Sequence, residues 1–183
     1  SYRSFATAYQ VYVFSRINEL PENYTTRDMA TDIAEAMEVL GLKRVAVLGI
    51  SQGGMIAQWL ASDFPERVEK LILTVTTAKL NNLGRERITR WLELSQTGAY
   101  KELMLDIASL SYTPKSFVKF KYLYRIMVIF GRIKEKQLIA IHAISFLRHD
   151  SLAVLGKLNC PTLVIVAEGD DVLCVEASLE LHQ

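Results

Sequence analysis

The sequence predicts an α/β protein, a mostly parallel sheet flanked by helices with a helical insertion between two parts of the core. Three observations carry that prediction. A β-branched apolar run, Val45 to Ile50, leads directly into small and apolar residues of good helix propensity from Gln52 onward. Strand and helix patterns alternate before and after it at lengths that imply right-handed crossovers. From Ala78 to Gly156 the strand patterns disappear, and a short apolar run returns only at Thr162 to Val166.

Taken in order, Ser1 to Ala8 reads as the end of a helix, and Tyr9 to Phe14, rich in β formers, as a strand. Ser15 to Tyr24, with Asn18, Pro21 and Asn23, is a loop. Thr25 or Thr26 caps a helix over Arg27 to Leu40, with Asp28 in its first turn and Gly41 as its stop. Met29, Ile33, Ala36, Met37 and Leu40 recur at three- and four-residue steps, the pattern of a helix lying on a sheet. Arg44 to Leu48 reads as a strand buried on both faces, Ser51 to Asp63 as the following helix closed by Pro65, and Val68 to Val75 as the next strand. The helical stretch is broken near Gly98, Thr113-Pro114, Gly131 and Asp150. After Thr162 to Val166 come a loop, Ala167 to Leu173, and a helix from about Val175.

Composition narrows the function classes. The chain has 183 residues, a net charge of +1 and 50% hydrophobic residues, which suits one compact core carrying an insertion. Near-neutral charge argues against a nucleic-acid partner, because such surfaces need a basic excess. Cys160 and Cys174 leave a disulfide open, but two free thiols in a reducing compartment is the simpler reading, so a cytoplasmic location is expected. The sequence reads as carrying neither a signal peptide nor an apolar span of roughly 18 or more residues. No His, Cys, Asp or Glu cluster has metal-ligand spacing, and neither a Gly-x-Gly-x-x-Gly nor a P-loop is present, so no cofactor is expected. Lys115, Lys119, Lys121, Arg125, Arg132, Lys134 and Lys136 surround Phe117, Phe120, Tyr122, Tyr124 and Phe130. A helix with its apolar face over a pocket accounts for them better than a membrane surface or an acidic partner does.

The chemistry concentrates in Gly49-x-Ser51-x-Gly53, the spacing of a nucleophile elbow. A serine at a sharp strand-to-helix turn has a strained backbone and an exposed hydroxyl. Its flanking positions are expected to be glycine because a Cβ would strike the neighbouring strand or helix. Helix amides pointing at the serine can stabilise an oxyanion. The five-residue pattern alone arises by chance in roughly one chain of this length in twenty; the strand before it and the helix after it supply the context the motif requires.

Tyr24 to Ala30, Leu42 to Met55 and Phe64 to Leu73 together resemble the α/β-hydrolase superfamily, above all its small bacterial esterases and lactonases, of enol-lactonase-like or haloperoxidase-like type. Asn159 to Val166 followed by Glu168-Gly169-Asp170 matches the family's later strand and acid loop. The resemblance implies hydrolase core in residues 1–77 and 157–183 and a helical cap in 78–156. It implies Ser51 as nucleophile, the Gln52 amide as oxyanion donor, and Asp170 as the acid that orients a histidine, with Asp171 as the competing carboxylate. The implied substrate is a small carboxylic ester or lactone; thioesterase, peptidase and haloperoxidase-like chemistries, and a homo-oligomer, remain open. A non-catalytic ligand-binding or scaffold relative is the alternative from another class.

The family's histidine follows a further helix and strand, and none of the three histidines here suits that role. His142 lies inside an apolar helix and reads as a core or pocket residue. His149 reads as the end of one helix and the cap of the next, and His182 as a packed or solvated helix residue. The family's first strands, with their second oxyanion donor, also have no counterpart. The chain is therefore expected to be part of a longer hydrolase, inactive by itself.

Overall fold

The computed structural model describes residues 2–15, 20–111, 116–118, 136–168 and 181. Its centre is a three-stranded parallel sheet in the order β1 (Val45–Ile50), β2 (Val68–Thr74), β3 (Thr162–Ile165). Val47 pairs with Leu71 and Leu71 with Thr162, so the carboxyl ends of all three strands lie side by side. In open α/β sheets that is the edge where ligands bind.

Helix α1 (Thr26–Val39) starts in a capping box. The Asp28 amide donates to Thr25 Oγ1, and the Thr25 amide donates back to the Asp28 carboxylate at 2.8 Å. Gly41, at φ +68°, supplies the left-handed residue that ends it. Helix α2 (Gln52–Asp63) follows β1 without a loop. Ala30, Ala34 and Met37 of α1 and Ala57, Leu60 and Ala61 of α2 pack on Leu71 and Leu73, with Val45, Val47 and Val164 alongside. The alanines let both helices approach the sheet closely. Full burial of Met37, Leu60, Leu71 and Leu73 contributes roughly 1.5–3 kcal/mol each.

Two expectations are corrected here. β1 is not covered on both faces by the described residues: Leu48 and Ile50, with Leu163 and Ile165 of β3, are exposed on the side opposite α1 and α2. An unbroken apolar run looks the same whether one face is covered or two. Tyr9 to Phe14 is exposed and irregular, not a strand. β propensity measures fit to a pleated, half-buried surface, and this segment pairs with none of the three strands.

Between β2 and β3 the regular elements among the described residues are helices, apart from one bridge between Lys79 and Asp150. Asn81 caps α3 (Asn82–Gln96) through the Gly84 amide. Trp91 Nε1 of α3 donates to Asp106 of α4 (Tyr100–Ser111) at 2.7 Å. Helix α5 (Lys136–Arg148) returns the chain to the core. A second cluster, Met55, Leu80, Ile88 and Ala143, joins α2, α3 and α5. The breaks expected near Thr113-Pro114 and Gly131 lie outside the described residues, as does the helix expected from Val175. Among the described residues no helix is long and apolar enough to cross a membrane.

His149 is more than the end of α5. It is 3% exposed, with Thr26 Oγ1 of α1 2.8 Å from Nδ1 and Ser151 Oγ 3.3 Å from Nε2. A hydroxyl at each nitrogen suits a neutral imidazole, which has one proton to donate and one lone pair to accept. Burial pushes its pKa down to about 4, against the raising effects of a hydrogen bond to the Thr77 backbone and of the Asp150 charge. Between pH 6.5 and about 4 an unfolded chain therefore holds a proton on this residue that the folded chain does not. Stability from this group is complete above pH 6.5 and is lost as pH falls across that window, by up to about 3 kcal/mol. Thermal midpoints between pH 7 and 4 are expected to fall more steeply for wild type than for His149→Gln. Equal slopes would show that the neutral His149 contributes nothing to the pH response.

Candidate active site

β1 reaches α2 through a single residue, Ser51, whose backbone sits at φ 53°, ψ −123°. That conformation costs a side-chain-bearing residue of the order of 1–3 kcal/mol and persists only where its surroundings hold it. Here they do. The Ser51 amide donates to Thr74 O at 3.0 Å, extending the β1–β2 ladder by one rung. The Ser51 carbonyl accepts from the amides of Gly54 (2.9 Å) and Met55 (3.3 Å) and from Thr76 Oγ1 (2.8 Å). Val75, just past β2, is also left-handed at φ 49°, and its amide donates to Ile165 O at 2.9 Å. Two strained residues thus sit side by side at the carboxyl edge of the sheet.

The glycine requirement differs in part from expectation. A Cβ on Gly49 would lie 2.6 Å from Gly53 O and from Gly54 Cα, so glycine is needed there. A Cβ on Gly53 would meet nothing within 4 Å, whereas one on Gly54 would fall 2.5 Å from Thr76 Cγ2. The motif's third position is free of that constraint, and its neighbour carries it, because Gly54 faces the chain leaving β2.

Gln52 opens α2, in the first turn whose backbone donors have no intrahelical acceptor. Its side chain is buried, and Nε2 donates to Ser145 Oγ at 2.7 Å and to His142 O at 3.3 Å. Ser51 itself is half-buried. Among the described residues no histidine hydrogen-bonds its hydroxyl. His142 is buried on α5, as the sequence suggests, and offers its carbonyl to Gln52 and Ser145. Asp170, Asp171 and His182 lie outside the described residues. Among those described, no group of three or more His, Cys, Asp or Glu side chains could hold a metal ion.

Sequence reasoning missed Thr76 and Ser145. Each left a faint signal: a Thr-Thr pair directly after an apolar strand, and one serine in the apolar run Ile141 to Leu147.

The model of the alpha/beta hydrolase fold family matches residues 7–101, more than half of the chain. The chain belongs to the α/β-hydrolase family. It is 28% identical over 170 residues to a Bacillus subtilis (strain 168) protein provisionally named a 2-succinyl-6-hydroxy-2,4-cyclohexadiene-1-carboxylate synthase, covering 88% of this chain and 62% of that one. Over 57 residues it is 37% identical to 3-oxoadipate enol-lactonase 2 of Acinetobacter baylyi, covering 31% of this chain and 21% of the lactonase. A thermophilic esterase from Thermogutta terrifontis superposes with a TM-score of 0.67 at 26% identity, over 88% of this chain and 61% of the esterase. The chain therefore spans about three fifths of the length of the first and the last of these.

The glycines give a direct test of the elbow. Gly53→Ala, in open space on α2, is expected to raise stability by about 0.5–1 kcal/mol through backbone entropy and helix propensity. Gly54→Ala, forced against the buried Thr76, is expected to lower it by about 1–3 kcal/mol. Denaturant midpoints for the two variants decide the matter, and the reverse order would contradict the packing described.

Proposed function

We propose that this chain carries the nucleophile of a serine hydrolase that cleaves a small carboxylic ester or lactone. The observation that carries the reading is Ser51, held left-handed between β1 and α2 with its carbonyl fixed by Thr76. A serine hydroxyl becomes a useful nucleophile only when a base takes its proton. In this reading Asp170 orients that base, a histidine other than His149, whose ring is committed to Thr26 and Ser151. Ser51 Oγ attacks the carbonyl carbon, and its proton passes to the base. The oxyanion that forms is held by the Gln52 amide, and each such donor is worth on the order of 3 kcal/mol in the transition state. Collapse expels the alcohol, protonated by the same base, and leaves an acyl group on Ser51. Water, activated in turn, releases the acid and restores the serine. No cofactor enters these steps.

The likeness to an esterase and an enol-lactonase supports this substrate class. Residues 78–156 form the cap in this proposal, with residues 1–77 and 157–183 as the core beneath it, and the cap's apolar composition favours a modestly hydrophobic small molecule. A cytoplasmic location belongs to the same reading, in keeping with the free thiol at Cys160.

The test uses the full-length protein and a fluorophosphonate probe that reacts only with activated serines. One adduct, mapped to Ser51, is expected by intact mass. Ser51→Ala should lose the adduct and at least about 10⁴-fold in ester turnover. An unlabelled wild type would point instead to a relative that keeps the elbow as a structural turn and binds its ligand without cleaving it.

A further inference from the structure

Gln52 does two things with two different groups. Its backbone amide is the proposed oxyanion donor, while its side chain leaves α2 and ends on α5, 93 residues further along the chain. We infer that Ser145 is a positioning residue, which through the Gln52 side chain sets where the Gln52 amide stands and couples the helical segment to the elbow. The inference rests on the Ser51 reading and adds to it a second point of control.

The directions of the hydrogen bonds are defined. Ser145 Oγ donates to His142 O at 2.8 Å, so its lone pairs face Gln52 and accept from Nε2 at 2.7 Å. Gln52 Nε2 also donates to His142 O at 3.3 Å, which makes a closed triangle of two side chains and one carbonyl. Gln52 is 5% exposed and Ser145 0%, so water does not compete for these bonds. Met55, one turn on, packs with Ala143 and Ile88 and holds α2 and α5 together beside the triangle. Across the turn, Thr76 anchors the Ser51 carbonyl from the β2 side. The peptide unit between Ser51 and Gln52 is therefore gripped from two sides, and only the α5 grip reaches into the helical segment. A displacement of α5 is transmitted to the Gln52 amide through two hydrogen bonds. Reaction rates depend steeply on the placement of such donors, so this is a route by which the position of α5 alters acylation at Ser51.

Full-length wild type, Ser145→Ala, Gln52→Met and the double variant are compared for fluorophosphonate labelling of Ser51, for kcat and KM on an aryl acetate, and for thermal midpoint. Ser145→Ala and Gln52→Met are each expected to lower labelling and kcat about tenfold while KM stays within about twofold. The double variant is expected to be no slower than Gln52→Met alone, since both remove one coupling. Ser145→Cys keeps the side-chain shape, slightly enlarged, with a weaker hydrogen-bond partner and is expected to lose about threefold. Wild-type labelling rates in folded Ser145→Ala and Ser145→Cys, or losses that multiply in the double variant, would overturn the inference and leave the Ser51 reading intact. A wild type that does not label at all overturns that reading and this inference with it.

Discussion

The structure depends on how closely the end of β1 approaches the start of α2. With Gly49 in van der Waals range of the Gly53–Gly54 backbone, no room exists for a loop, and one residue must reverse the chain. That residue is Ser51, and its left-handed backbone is the geometric consequence. The strain there and at Val75, about 1–3 kcal/mol each, is small beside the burial on either side of α2. Met55, Leu60, Leu71 and Leu73, all 2% exposed or less, together contribute several times that amount. Burial wins, and the turn is held in a conformation that a serine in a free loop would abandon.

Helix α2 is buried on two sides, and the two sides differ in kind. Ala57, Leu60 and Ala61 pack on the sheet with α1. Gln52, Met55 and Gln58, at three-residue steps, meet the segments between β2 and β3. Met55 makes the apolar contact there, and a buried hydrogen-bond group stands on either side of it. Gln58 donates to Thr77 O and accepts from Ser151 Oγ at 2.5 Å, and Ser151 in turn meets Nε2 of His149, whose Nδ1 meets Thr26. Such groups are costly when unmatched and specific when matched. They fix where α5 and the chain after it sit on the core, which apolar contact alone defines poorly. Lys79 and Asp150 reinforce the same junction from the surface at 2.7 Å, a contact worth at most about 1 kcal/mol given its exposure.

The carboxyl edge of the sheet gathers Ser51, Val75 and Thr76, and in the proposed mechanism Ser51 is the nucleophile and the Gln52 amide its nearby backbone donor. The acid and the base belong to the proposed mechanism.

The sequence by itself determined what short-range physics controls. The α1 capping box and its Gly41 stop, the direct step from β1 to α2 and the Gly49-x-Ser51 turn all follow from patterns within a few residues of each other. Tertiary structure decided what depends on a distant partner. Tyr9 to Phe14 has the composition of a strand and pairs with none of the described strands. Gly54 outranks Gly53 only because Thr76 comes to lie against it. Ser145 meets Gln52 across 93 residues, and His149 meets Thr26 across 123. Periodicity shows that a position is buried; only the packed fold supplies the group it is buried against.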